Sequence, residues 1–379
     1  MAATSILLAI GSIVLTVWLW PRLARGGWPR WAARVGLVIL CQVTAVVLAA
    51  VGLNDYFDFY NSWSDLLGVS RTNGPLAIQM VSYGPGGEHD PKQMLSVHVD
   101  RTFTSPVRRP GHTDSIVVKG ARSHISGQAL VYLPPQYDDP AYAHTKFPMT
   151  VVVAGYPGHI GTLVRNLEVP RTMNTMISQG QVRPMIMVMV SPTVAPPRDT
   201  ECADVPDGPQ TETWLAEDVP QAIAAKYRVT EPRTWGILGV STGGFCAVKL
   251  AMRHPDTFCC TVGMSGYLHA VTDVTTGDLY AGNIALREAS DPLWRLSHLP
   301  VPPIRVLLTT SMAEKSLYAQ AQEFVAHARP PLQVGTIIVP SGGHNFGVWV
   351  DQLPTCLQWL SLAIPGGPTT GVQLPAPTA

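Results

Sequence analysis

The sequence Gly239-Val240-Ser241-Thr242-Gly243-Gly244 constrains the fold of this chain more than any other stretch. It follows an apolar run that begins at Trp235 and precedes a helix-like stretch ending at Arg253, so it predicts a strand, a tight turn and a helix. In that setting Gly-x-Ser-x-Gly is typical of a nucleophile elbow, whose glycines let the backbone hold a serine in strained, exposed geometry. We predict that Ser241 is a nucleophile; the alternative is a serine in an ordinary glycine-rich turn.

Two apolar stretches without a charged residue, 3–20 and 35–53, lie near the amino terminus. Each is about long enough to cross a hydrocarbon layer of ~30 Å as a helix, so we predict two membrane spans that contact the lipid bilayer. By the positive-inside rule the loop between them is cytoplasmic, because it holds Arg22, Arg25, Arg30 and Arg34. The body then lies outside the cytoplasm. A cleaved signal peptide is the competing interpretation of the first stretch, although no Lys or Arg precedes Ile6.

Short β-prone runs and then alternating strand and helix patterns follow from about Lys92 onward. Such alternation predicts an α/β fold with a mostly parallel, doubly wound sheet and an active site at the carboxyl ends of its strands. The predicted organisation is a two-helix anchor at 1–54, an aromatic juxtamembrane segment and linker at 55–92, a catalytic domain at 93–363 and a disordered tail at 364–379.

Charge and cysteine content exclude several classes of protein. The net charge is zero and the body has no Lys/Arg-rich run, so we expect no nucleic-acid partner. No Cys-x-x-Cys pair and no phosphate-binding Gly-x-x-x-x-Gly-Lys loop occurs, so we predict neither a metal nor another cofactor. Cys202 and Cys246 could form a disulfide in an oxidising compartment, or could remain two unpaired thiols.

A serine hydroxyl needs a general base and a carboxylate that orients the base, and here the expected chain order is Ser, acid, His. Among the histidines after Ser241, only His344 lies in a glycine-rich loop directly after the last predicted strand. Glu314 follows the strand 304–310 directly and is the predicted acid, with Asp291 and then Asp278 as alternatives. For each, the competing interpretation is an ordinary surface residue.

An ester carbonyl also needs two hydrogen-bond donors for the negative charge that develops on its oxygen. One predicted donor is the backbone N–H of Thr242, directly after the nucleophile. The other should follow the strand 149–154, where Pro157 has no N–H to donate, so we predict the backbone N–H of Tyr156.

These motifs resemble those of the esterase D and mycolyltransferase (antigen 85-like) family of α/β-hydrolases. The resemblance covers roughly residues 94–362: the elbow, Gly342-Gly343-His344-Asn345 with Glu314 thirty positions upstream, Ala154-Gly155-Tyr156, and the run 213–220. It implies an α/β-hydrolase fold, a triad of Ser241, Glu314 and His344, and an acyl-enzyme formed from carboxylic esters. The paired amino-terminal spans are similar to those of actinobacterial membrane-anchored members. The loop Pro157-Gly158-His159-Ile160 departs from the Arg-containing sugar-binding loop of the secreted mycolyltransferases.

The sequence therefore predicts a membrane-anchored, extracytoplasmic serine esterase or acyltransferase with an acyl ester or glycolipid substrate. The alternative is a catalytically silent envelope-binding or scaffold domain on the same fold, since a fold alone does not fix function.

Overall fold

The computed structural model describes residues 2–24, 26–57, 59–68, 76–83, 89–97 and 110–365. By their contacts these residues form two units, one of Met1–Arg71 with Ser341–Asn345 and one of Thr72–Pro340 with Phe346–Ala379. Nearly all of the predicted tail at 364–379 lies outside the described residues.

The helices of the amino-terminal unit are α1 (Ala2–Leu19), α2 (Trp28–Phe57) and α3 (Trp63–Leu66). Small polar side chains connect α1 to α2: the hydroxyls of Ser12 and Thr44 lie 2.8 Å apart, as expected where apolar helices pack in a nonpolar setting. The stretch Trp28–Asp55 is long and apolar enough to cross a membrane, whereas Ala3–Leu19 is a shorter apolar helix. The two predicted stretches are thus helical, and two membrane crossings remain a prediction.

The second unit is built on one sheet. Its described strands are β1 (Ile78–Tyr83), β2 (His89–Val97), β3 (His112–Lys119), β4 (Ser126–Leu133), β5 (Met149–Val153), β6 (Ile186–Val190), β7 (Trp235–Val240), β8 (Phe258–Met264), β9 (Arg305–Ser311) and β10 (Gln333–Val339). Their order is β2-β1-β10-β9-β8-β7-β5-β6-β4-β3. The six strands from β10 to β6 in this order are parallel, and antiparallel pairs flank them on both sides.

Helices connect the parallel strands, and a last helix follows β10. They are α4 (Ile160–Arg165), α5 (Val169–Ser178), α6 (Thr211–Thr213), which continues through one π-helical turn (Trp214–Asp218) into α7 (Val219–Lys226), α8 (Thr242–Arg253), α9 (Ile284–Ala289), α10 (Pro292–His298), α11 (Lys315–His327) and α12 (Phe346–Ala363).

Alternate side chains of the central strands enter two separate hydrophobic cores. In β5, Val151 and Val153 belong to the core that includes residues of α8, while Val152 belongs to the core that includes residues of α5 and α12. Successive strand residues point to opposite faces, so both faces of this sheet are covered. The predicted doubly wound, mostly parallel sheet is confirmed.

The sheet begins earlier in the chain than the predicted boundary at residue 93. Strand β1 lies within the predicted linker and pairs antiparallel with β10, where Gln79 faces Thr336 and Met80 faces Gly335. Ile78 is fully buried, which gives this short strand its place in the core. The pairing partner is more than 250 positions away in the chain, so the local sequence, which is flanked by Pro75 and Gly84, does not reveal it.

An ion cluster ties the end of α8 to α6. The Oε1 atom of Glu212 accepts a hydrogen bond from Arg253 Nε at 2.5 Å. The same atom lies 2.8 Å from His254 Nε2. Burial by itself raises the pKa of Glu212, but the His254 hydrogen bond and the charges of Lys249 and Arg253 outweigh it and lower this pKa from 4.5 to about 2.

We therefore expect Glu212→Gln to destabilise the fold at neutral pH by about 2 kcal/mol, because the partly buried Arg253 and His254 lose the carboxylate that they contact. Since the carboxylate has a lower pKa in the folded protein, its contribution is present above pH 4.5 and disappears as the pH falls through about 2. Unfolding of the detergent-solubilised chain at pH 7, 5, 4 and 3 should show the difference from wild type shrinking below pH 4.5. A difference that stays constant with pH would contradict this assignment.

Candidate active site

Ser241 occupies the sharp turn between β7 and α8. Its φ of 57° and ψ of −126° lie in a region that non-glycine residues seldom adopt. The surrounding backbone fixes this conformation: Ser241 N donates to Met264 O at 2.9 Å, and Ser241 O accepts from Gly244 N at 2.8 Å and Phe245 N at 3.1 Å. This strained backbone is the geometry predicted for a nucleophile elbow.

The glycines of the motif permit backbone contacts that no side chain would allow. A Cβ at Gly239 would lie 1.9 Å from Gly243 O, and one at Gly243 would lie 2.3 Å from Val153 O. A Cβ at Gly244 would lie 2.9 Å from Met264 O. Helix α8 thus starts in direct contact with β5 and β8, and glycine is required at each position on steric grounds.

The two predicted oxyanion donors belong to segments that adjoin the serine. Thr242 is the first residue of α8, and the first N–H groups of a helix have no acceptor within it. On the other side, a Cβ at Gly155 would lie only 3.1 Å from the Cβ of Ser241, so the chain after β5 passes directly by the nucleophile. The next residue is Tyr156, whose hydroxyl donates to the carbonyl of Pro197. Its backbone role as a donor stays a prediction.

Glu314 follows β9 and is buried, with 2% of its surface exposed. Three donors meet its Oε2 atom: Ser265 Oγ at 2.9 Å, Thr310 Oγ1 at 3.1 Å and the backbone N of Ser311 at 3.0 Å. Such bonds replace the hydration that a buried carboxylate loses and fix its orientation.

Among the residues that contact Glu314, Ser265 could not be predicted from the sequence alone. It follows β8, has a positive φ of 44°, and accepts a hydrogen bond from Trp349 Nε1 at 3.0 Å while it donates to Glu314. A single serine after a strand carries no motif, and its role depends on β8 and β9 being neighbours in the sheet.

His344 lies in the connection between β10 and α12, as predicted from its position after the last strand. Gly342 in this connection has a φ of 114°, which a residue with a side chain rarely adopts. By its contacts the segment Ser341–Asn345 groups with the amino-terminal unit, whereas Ser241 and Glu314 belong to the second unit.

The alternative acids have structural roles in the loop between β8 and β9. The Oδ1 atom of Asp291 accepts from Trp294 N at 2.8 Å and caps α10, and Asp278 accepts from Tyr280 N at 3.0 Å and Gly282 N at 2.7 Å. These contacts favour Glu314 as the acid.

Several other histidines have local contacts, and His344 stays the predicted base by its position after β10. The contacts are His159 Nδ1 with Gly161 N, His254 with Glu212, His269 with Asp291, His298 with Trp294, and His327 with Glu323 O.

A second group of buried charged side chains lies between α8 and the loop after β6. Thr242 Oγ1 donates to Asp199 Oδ2 at 3.3 Å, and the fully buried Lys249 Nζ donates to the carbonyls of Glu201 at 2.6 Å and Cys202 at 2.8 Å. Burial disfavours the charged forms of all three groups, so it raises the pKa values of Asp199 and Glu201 and lowers the pKa of Lys249. These contacts hold the loop after β6 against the start of α8.

A disulfide joins the same loop to the same helix. Cys202 and Cys246 are bonded, with their Cα atoms 5.7 Å apart, which decides between the two possibilities that the sequence left open. Cys246 lies five residues after Ser241 and one turn before Lys249, so the covalent bond and the lysine act on one face of α8.

Replacing both cysteines by alanine should lower the free energy of unfolding by about 4 kcal/mol, because the bond closes a long loop, with a sequence separation of 44, in the unfolded chain. Denaturant unfolding of the full-length protein in detergent measures this loss. As a control, a reductant should destabilise the wild type but leave the double variant unchanged. Alkylation of both thiols in the unreduced, unfolded protein would show that the bond does not form.

Comparison with known proteins places the second unit in a family. Residues 126–360 match the family model described as "Putative esterase", which covers more than half of the chain. The chain belongs to this esterase family. An uncharacterized protein of Corynebacterium glutamicum is 25% identical over 244 residues, which are 62% of this chain and 56% of that protein. The MPT51/MPB51 antigen of Mycobacterium tuberculosis is 36% identical over 73 residues, 19% of this chain and 24% of the antigen.

Solved structures of esterases share the fold. An S-formylglutathione hydrolase from Agrobacterium tumefaciens superposes with a TM-score of 0.56 and 14% identity, over 70% of this chain and all of that one. MPT51 of Mycobacterium tuberculosis gives a TM-score of 0.51 at 15% identity, over 67% of this chain and 99% of that one. A ferulic acid esterase gives 0.51 at 18% identity, over 66% and 97%. The α/β-hydrolase fold is therefore shown. In sequence, the chain spans about half the length of the Corynebacterium relative and about a quarter of the antigens.

Proposed function

We propose that this protein is a membrane-anchored, extracytoplasmic serine esterase or acyltransferase. The observation that carries the proposal is Ser241 in the strained turn of the elbow, within a chain of the esterase family. Ser241, Glu314 and His344 follow strands β7, β9 and β10, which run parallel in the sheet, so the three residues come from the same edge.

In the proposed reaction Ser241 Oγ attacks the carbonyl carbon of an ester while His344 accepts its proton. The carbonyl oxygen takes up the electron pair and is stabilised by the backbone N–H groups of Thr242 and Tyr156. When the carbonyl re-forms, the alcohol leaves with the proton from His344, and the acyl group stays on Ser241. Glu314 orients the imidazole and stabilises its positive charge.

The acyl-enzyme can then be resolved in two ways. Water as the acceptor gives a carboxylic acid, and a hydroxyl of a sugar or glycolipid gives a new ester. Either acceptor gives up its proton to His344, which passes it to Ser241 Oγ as the bond between the acyl group and Ser241 breaks. Transfer requires a site that admits the acceptor and excludes water. We propose an acyl ester or glycolipid as the substrate class, in keeping with a domain held next to a membrane.

Ser241→Ala should abolish turnover of a short-chain p-nitrophenyl ester and labelling by a fluorophosphonate probe, because both need the serine oxygen. Ser178→Ala is a matched control, since Ser178 lies on α5 and donates only to the carbonyl of Thr175 among its described contacts. Wild-type protein that does not react with the probe would favour the silent scaffold. Turnover retained by Ser241→Ala would refute the nucleophile.

We infer the orientation in the membrane from the sequence of the amino-terminal unit. The helix Trp28–Asp55 is the stronger candidate span, and the arginines ahead of it favour a cytoplasmic loop between α1 and α2. The catalytic unit then follows on the outer side.

Fusion of alkaline phosphatase, which is active only outside the cytoplasm, tests this orientation. Fused after Gly68 it should be active, and fused after Gly26, in the loop between the helices, it should be inactive. Activity at Gly26 with none at Gly68 would reverse the topology. Activity at both positions would show that the first helix acts as an export signal and that the second helix does not cross the membrane.

A further inference from the structure

A carboxylate near the end of the anchor holds the segment that carries the candidate base. Asp65, in α3, accepts from the backbone N of Gly343 at 2.9 Å through Oδ2 and from Asn345 Nδ2 at 3.3 Å through Oδ1. Its Oδ2 also accepts from Asn61 N at 3.1 Å. Gly343 and Asn345, the two neighbours of His344, are therefore both hydrogen-bonded to the side chain of Asp65.

The same segment makes a further contact with this loop. Asn345 Nδ2 donates to the carbonyl of Phe59 at 2.7 Å. Residues 59–67, which we name the stem segment, are in turn fixed to the end of α2, because Asn54 donates to Tyr60 O at 2.8 Å and accepts from Tyr60 N at 2.9 Å. Hydrogen bonds thus lead from the candidate membrane span to both neighbours of His344.

We propose that Asp65 is a positioning residue that holds His344 in the orientation needed for catalysis. The proposal rests on the proposed function, in which His344 is the general base. It gives the stem segment a role beyond tethering, because the imidazole is oriented from the anchor as well as from its own loop.

The composition of the loop explains why such support is needed. Gly342, with its φ of 114°, and Gly343 have no side chains, so little inside the loop restrains the backbone before His344. A carboxylate forms stronger hydrogen bonds to N–H donors than a neutral acceptor does. In Asp65→Asn one of the two oxygens becomes an NH₂ group, which cannot accept a hydrogen bond. The variant therefore loses its hydrogen bond either to Gly343 or to Asn345.

The test compares Asp65→Asn with Asp55→Asn in full-length protein. Both changes remove one negative charge from the same region without changing the size of the side chain. Asp55 is exposed and accepts from Asn54 Nδ2, a bond that an amide oxygen preserves. For a p-nitrophenyl ester we expect Asp65→Asn to lower kcat about 10- to 100-fold with KM within about twofold, and Asp55→Asn to leave both unchanged.

Measurement of thermal unfolding separates positioning from folding. An unchanged melting temperature together with a reduced kcat and slower fluorophosphonate labelling supports the proposal. A kcat for Asp65→Asn within twofold of that for Asp55→Asn overturns it. If Asp65→Asn lowers the melting temperature, Asn345→Ala provides the second comparison, and an unchanged kcat in that variant also overturns the proposal.

A second background tests whether Asp65 acts through His344. When His344→Ala has removed the imidazole, adding Asp65→Asn should not reduce the residual turnover further, because no side chain remains to be positioned. The same fold-loss in both backgrounds would show that Asp65 acts by another route. Turnover retained by Ser241→Ala would instead refute the proposed function itself, so the two failures are distinguishable.

Discussion

The close contact of helix α8 with its neighbouring strands is the constraint on which the candidate site depends. Gly243 touches the carbonyl of Val153, and Gly239 touches that of Gly243, at distances where any Cβ would clash. Only because these atoms meet can the chain reverse within one residue and leave Ser241 at a positive φ. The packing of β5, β7 and β8 around Ser241 stabilises its strained backbone conformation.

Two groups of buried acidic side chains are stabilised in different ways. Glu314 has three donors on one oxygen, which fixes its direction. Asp199 and Glu201 share the region of Lys249 and have raised pKa values because burial disfavours their charge. The first arrangement suits a carboxylate that orients a catalytic partner. The second suits a loop fixed to α8, where a disulfide already provides a covalent bond.

Local patterns in the sequence predict those parts of the structure that depend on local interactions. The run before Ser241, the helix after Ser241 and the strand before Glu314 are all continuous signals, and the structure places each element within a few residues of its prediction. Contacts between distant residues are not visible in this way. Strand β1 is defined by its pairing with β10, and Ser265 matters because β8 lies beside β9. The state of Cys202 and Cys246 could not be decided until their Cα separation was known.

The longest-range of these contacts bears most on function. Asp65 and Gly343 are 278 positions apart, yet they join the segment after α2 to the loop that carries His344. A loop that contains two adjacent glycines is costly to order, so bonds from outside the loop help to fix it. If Asp65 positions His344 as we propose, the bonds from the stem segment make the conformation of residues 59–67 a requirement for catalysis.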